Sequence, residues 1–151
     1  MNLDALQRRF AGSIREPEVF RGETTLTADR EALLPLGRFL RDEPGLAFRF
    51  LSDLCGLDLH PAAPRFRVVY HLFSPATGNR LRLKVPLGEQ DPVVDSVTGI
   101  WETADWHERE CYDLFGIRFR GHPDLRRILL PDHFEGHPLR KDFPLEGVKT
   151  P

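Results

Sequence analysis

The sequence predicts an α+β fold: a two-layer sandwich with helices on one face of a mixed, mostly antiparallel sheet, followed by an extended C-terminal tail. Residues 66–73 (FRVVYHLF) and 80–85 (RLRLKV) are runs of β-formers on either side of the turn-rich SPATGN. The second run alternates strictly, with Leu81, Leu83 and Val85 inward and basic residues outward, so the pair forms an antiparallel hairpin with one solvated face. Two further stretches, one after Thr27 and one over residues 97–115, carry apolar residues at steps of three and four, the period of a helix packed on one side. With 151 residues, 40% hydrophobic and 29% charged, the chain can bury one core.

Leu3, Leu6 and Phe10 at helical spacing predict a short amphipathic helix at the start. Residues 18–27 (EVFRGETTLT) mix alternation with a Gly22 turn and predict a hairpin or a single strand. Thr27 is the expected cap of the next helix, with Glu31 near its positive end. Leu33, Leu34, Leu36, Gly37, Phe39 and Leu40 form its apolar face up to the Pro44-Gly45 stop, and Pro35 is expected to bend it. Residues 47–59 (AFRFLSDLCGLDL) predict a strand with Phe48, Phe50, Leu54 and Leu57 on its apolar side and an irregular middle at Cys55-Gly56. A loop over residues 86–92 then leads to the second long helix.

In that helix Val97, Ile100, Trp101, Ala104, Cys111, Leu114 and Phe115 share one side, and Glu108 falls in the middle of the stripe. A buried carboxylate without a partner costs several kcal/mol or takes up a proton. Glu108 is therefore expected to meet Arg126, Arg127 or Arg140 in a structural ion pair. Arg109, Asp113 and Trp106 lie on the opposite side, where Arg109 and Asp113 pair along the surface and Trp106 is either an interface anchor or a lid on its own helix. Gly116 suits the left-handed residue that ends a helix. Asp95 or Ser96 would cap the start; Gly99 and Glu102-Thr103 also allow two shorter helices, the second capped by Thr103.

Beyond Gly116 the chain changes character. Residues 1–116 read as a platform and residues 117–151 as a partner-binding tail of the same structural unit. Gly121-His122-Pro123 leads to Leu125-Arg126-Arg127, and Gly136-His137-Pro138 leads to Leu139-Arg140-Lys141, two echoes of one turn. Between them ILLP, with Phe134 and Phe143, is too apolar for a free loop and is expected to lie against something.

Several function classes are excluded. A net charge of -2 offers no general attraction to nucleic acid or anionic lipid, and the tail mixes seven basic side chains with five acids. No apolar run approaches the roughly 20 residues that span a bilayer, and MNLDALQRRF has no signal-peptide core, which predicts a cytoplasmic product. Cys55 and Cys111 lack the spacing of a zinc or iron-sulfur site and read as core residues, a reactive thiol being the alternative. His71 has no second ligand two or four residues away. His122 and His137, fifteen apart and each before proline, match no common ligand pattern; a stand-alone metal-dependent enzyme using them with an Asp is the reading of a different class. No phosphate loop, nucleophile elbow or paired-carboxylate pocket is visible. No catalytic, cofactor-binding or metal residue is assigned.

The block Glu108-Arg109-Glu110, Asp113-Leu114-Phe115, His122, Arg126, Ile128-Leu129, continued by GHPDLRRILLPDHFEGHPLRKDFPL, resembles the signature of the 30 kDa subunit family of NADH-quinone oxidoreductase, respiratory complex I. The likeness is dense over the last third and holds upstream in outline. It implies a non-catalytic peripheral-arm subunit on the cytoplasmic side of the inner membrane, in a complex that couples electron transfer to proton translocation. Such a subunit braces a hydrogenase-large-subunit-like quinone-site subunit and the iron-sulfur subunit bearing the terminal cluster. FMN, iron-sulfur clusters and quinone would then reside in partner subunits, and membrane contact would come only through the complex. The interface would draw on Trp106, Glu108, Arg109, Glu110, Asp113, His122, Arg126, Arg127, His137, Arg140 and Lys141. Related modules in membrane-bound hydrogenases, or in dehydrogenases fed by other donors, are the alternative.

Overall fold

A computed structural model of the chain describes Met1 and residues 3–147; the end of the expected tail, including Lys149, lies outside the described residues. The elements run α1 (Asp4–Arg9), β1 (Glu18–Phe20), β2 (Glu23–Thr27), a 3-10 turn (Arg30–Ala32), α2 (Leu33–Asp42), β3 (Phe50–Asp58), β4 (Phe66–Phe73), β5 (Arg80–Leu87), β6 (Val93–Asp95), α3 (Ala104–Phe115) and β7 (Arg118–Arg120). Five strands form one sheet in the order β1-β2-β5-β4-β3, antiparallel except where β2 runs parallel to β5. The α+β expectation holds: Leu26, Leu54, Phe66, Val68, Tyr70, Leu81, Leu83 and Val85 join Leu33, Leu36, Leu40, Trp101 and Cys111 in one core.

The first hairpin forms because Arg21 and Gly22 both take positive φ, the backbone that a two-residue turn between twisted strands requires. Helix α2 starts later than expected. Thr27 remains in β2 rather than capping, and Asp29 begins the 3-10 turn that precedes the helix. Pro35 thereby falls in the first turn of α2, where its missing N–H removes no helical hydrogen bond.

In β3 the irregularity sits at Ser52, between Leu51 and Asp53, and not at Cys55-Gly56, which pairs regularly with Val69 and Val68. The extra residue changes which side chains point inward. Leu51 and Leu54 are buried, while Phe50 and Leu57 stand exposed. Gly56 serves packing instead: a Cβ there would lie 2.7 Å from Phe115 and 2.9 Å from Cys111 of α3.

The long stripe over residues 97–115 is a turn followed by one helix. Val97 O accepts from the N–H groups of Ile100 and Trp101, and the helix begins after Thr103. Asp95 belongs to β6 and caps nothing, and the Thr103 hydroxyl donates to Leu51 O. A second, parallel pair of strands, β6 and β7, brackets α3, with Val94 opposite Phe119 and both buried. The first residues after Gly116 are therefore tied back to the strand that precedes the helix.

Candidate functional site

An α-helix leaves its last carbonyls without helical donors, and in α3 the tail supplies them. Gly116, at φ 71°, ends the helix as expected and lets the chain turn back. Leu114 O accepts from Leu139 N (3.1 Å), Phe115 O from Arg140 Nε (2.6 Å), and Asp113 O from Arg127 (3.3 Å) and from His137 Nδ1 (2.9 Å). A carbonyl only accepts, so His137 carries its proton on Nδ1. Two arginines at the negative end of the helix also suit its dipole. A side chain at position 116 would collide with this arrangement, since a Cβ there would lie 2.6 Å from both His137 and Arg140.

The centre of the site is Asp113, which is fully buried. One carboxylate oxygen accepts from Arg127 at 2.7 Å. The other accepts from the main-chain N–H groups of Ile128 (3.0 Å), Leu129 (2.8 Å) and Leu130 (2.9 Å). Burial alone would push this carboxyl up; the donors outweigh burial and hold it below the usual carboxylate range. One turn earlier, Arg109 donates to the carbonyls of Arg126 (3.2 Å) and Arg127 (3.1 Å) while its guanidinium lies over the Trp106 ring. Arg127 also reaches Gly136 O at 2.9 Å. The expectation that Arg109 and Asp113 form a surface pair is corrected: both are buried, and each is engaged by the tail. Trp106 stays 63% exposed and Leu129 62%, with Leu139 and Leu145 also exposed.

A second clasp holds the tail further on. Arg65 and Asp58, both buried, form a two-bond pair (3.0 and 2.9 Å), and Arg65 also meets Asp142 (2.7 Å) and Glu89 (2.6 Å). The second Asp58 oxygen accepts from Lys141 N at 2.8 Å, so Lys141 contributes its backbone to the site. Arg65 holds the Asp58 carboxyl far below its ordinary value. Sequence reasoning missed Asp58 and Arg65, because their partners lie up to 83 residues away and leave no periodic signal.

The ion pair expected of Glu108 does not form. Glu108 is fully buried, but its Oε1 accepts from Val97 N at 2.7 Å, tying the helix to the turn before it. Its Oε2 and the Tyr70 hydroxyl are buried without hydrogen-bond partners among the described residues. Burial pushes the Glu108 carboxyl up to about 7, against the Val97 N–H, with Asp105 adding to the rise. The arginines are used elsewhere: Arg126 pairs with Asp124 (2.8 Å), Arg127 with Asp113, and Arg140 lies over the Phe66 ring. Glu110 is exposed.

His122 and His137 are not brought together. His122 packs at the start of α3, its Nε2 3.1 Å from Asp105 O and its Nδ1 accepting from Asp124 N at 3.0 Å. His137 sits at the far end, on Asp113. Eight residues of helix, about 12 Å, separate their partners, so no single ion could bridge them. Both are building parts of the clasp.

Known proteins agree with the signature. Residues 26–149 match the family described as the respiratory-chain NADH dehydrogenase 30 kDa subunit. A subunit of the NADH-quinone oxidoreductase of Rhizobium etli is 48% identical over 149 residues, 99% of this chain and 79% of the relative. A subunit of the NADH-quinone oxidoreductase of Rhizobium meliloti is 54% identical over 134 residues, 89% of this chain and 66% of the relative. Among solved structures, the trypsin-resistant fragment (1-134) of Nqo5 superposes with a TM-score of 0.67 at 37% identity, covering 80% of this chain and 96% of that one. A chain of the archaeal membrane-bound sulfane sulfur reductase superposes with a TM-score of 0.79 at 22% identity over 95% of this chain and 84% of that one, which shows a shared fold.

Proposed function

The chain belongs to the family of the respiratory-chain NADH dehydrogenase 30 kDa subunit, and from that premise we propose that it is a non-catalytic peripheral-arm subunit which braces the quinone-proximal part of a complex I-type enzyme. Its partners are the other subunits of the complex: in our reading, the hydrogenase-large-subunit-like quinone-site subunit and the iron-sulfur subunit with the terminal cluster. FMN, clusters and quinone belong to partner subunits, other peripheral-arm subunits among them, and electron transfer passes beside this chain rather than through it. The chain sits on the cytoplasmic side of the membrane; among the described residues no helix is long and apolar enough to cross one.

The observation that carries this reading is the use made of Asp113. A buried carboxylate takes all three consecutive N–H groups of residues 128–130, and the loop so fixed holds Leu129 out to solvent. A rigid loop with an exposed leucine, alongside an exposed tryptophan braced by an arginine, suits an interface core. Residues 1–116 act as the platform and the tail beyond as the presented element.

The test is Asp113→Ala in the native organism. We expect less assembled complex in detergent-extracted membranes, with unchanged NADH-quinone turnover per assembled complex. Normal assembly with slowed turnover would overturn the bracing role. Identification of the subunits that co-purify with the tagged wild-type chain checks the partners.

A further inference from the structure

Where β3 pairs with β4, the sheet carries a group of side chains that the bracing role does not use. Antiparallel pairing sets Asp53 of β3 directly opposite His71 of β4, and Cys55 opposite Val69. Asp53 and Cys55, two apart on one strand, therefore share a face with His71 as cross-strand and diagonal neighbours. The extra residue at Ser52 creates this register: without it, Asp53 would point to the other face. A carboxylate oxygen, the Cys55 Sγ and an imidazole nitrogen of His71 all lie within 4.8 Å of one another. His107 of α3 reaches the same place, its Nδ1 3.7 Å from Asp53 Oδ1.

We propose that Asp53, Cys55 and His71 form a binding site for a zinc-class divalent cation on strands β3 and β4, with His107 orienting Asp53. The donor set fixes the class. Thiolate and imidazole favour zinc and its softer neighbours, whereas magnesium and calcium require oxygen ligands. Zinc bonds of about 2.0–2.3 Å set tetrahedral donors on the order of 3.5 Å apart, so a small side-chain rotation closes the present triangle onto an ion. Cys55 and His71 are half-buried and Asp53 is exposed, so the ion enters from solvent and water fills the fourth position. Ligating carboxylates are commonly hydrogen-bonded by an outer group, and His107 is placed to serve as one by a small approach to Asp53. Cation binding here is independent of the bracing role, because among the described residues none of the four hydrogen-bonds or ion-pairs with the tail clasps described above.

The test uses the full-length chain, stripped of metal and kept reduced. Zinc is titrated against a chromophoric chelator, and cobalt is added as a spectroscopic probe. We expect one zinc per chain, a near-ultraviolet thiolate-to-cobalt absorption, and affinity lowered at least about tenfold in both Cys55→Ser and His71→Ala. In the unmutated chain, zinc should slow alkylation of Cys55, read by mass spectrometry. That readout needs no variant to fold. Absence of the cobalt absorption, alkylation of Cys55 unchanged by zinc, or undiminished zinc affinity in Cys55→Ser would each overturn the proposal.

Discussion

Replacing Glu108 with glutamine should change how stability depends on pH, and by an amount the structure sets. The Glu108 side chain is fully buried, one oxygen satisfied by Val97 N and the other by nothing among the described residues. Burial raises its carboxyl from 4.5 to about 7. The folded chain therefore keeps this proton over a range of pH in which the unfolded chain has lost it. Stability from this group is fully present below the unfolded value, falls as pH rises through about 7, and levels off above. At 1.36 kcal/mol per pH unit the loss is about 3 kcal/mol. Glutamine still accepts from Val97 N but has no charge to bury at any pH. In urea unfolding of the full chain between about pH 4 and 8, Glu108→Gln should match the wild type at the acidic end and exceed it by up to about 3 kcal/mol at the basic end. Other titrating groups are common to both chains and cancel in the difference. Two stability profiles that run parallel across the range would refute the reasoning.

Asp113→Ala should lose the protection of the 128–130 amides in hydrogen exchange and cost about 3–5 kcal/mol, since it leaves Arg127 unpaired in a half-buried site. Arg65→Met should cost a similar 3–5 kcal/mol in urea unfolding by stranding the buried Asp58. Gly56→Ala should destabilise by about 1–3 kcal/mol in thermal unfolding, because its methyl group would press on Phe115 and Cys111. Asp58 and Asp113 both sit below the ordinary carboxylate range, so their contribution is present above about pH 4 and lost only as pH falls through their lowered values. Limited proteolysis of the tail should accordingly begin only under more acidic conditions than that.

Strands β4 and β5 could be read from the sequence because period-2 alternation and turn residues are local signals, and β4 has its expected bounds. The end of α3 at Gly116 and the inward place of Glu108 were legible for the same reason. The partner of Glu108 was not, since helical spacing gives a direction but not what lies there. Helical spacing also continued through residues 97–101, where a turn buries the same side chains as a helix would. The tail's apolar character was visible, yet its hold on Asp113, Asp58 and Arg65 depends on pairs far apart in the chain. His71 looked solitary along its strand; its neighbours Asp53 and Cys55 arrive across the sheet, through a register that one extra residue sets.

Three successive main-chain N–H groups converge on one Asp113 oxygen. This grip ignores the identity of the side chains at positions 128–130. The loop keeps its shape whatever residues it carries there, provided each retains its N–H. Exchanging the exposed Leu129 side chain thus leaves the anchor intact, while proline at any of the three positions would remove a donor.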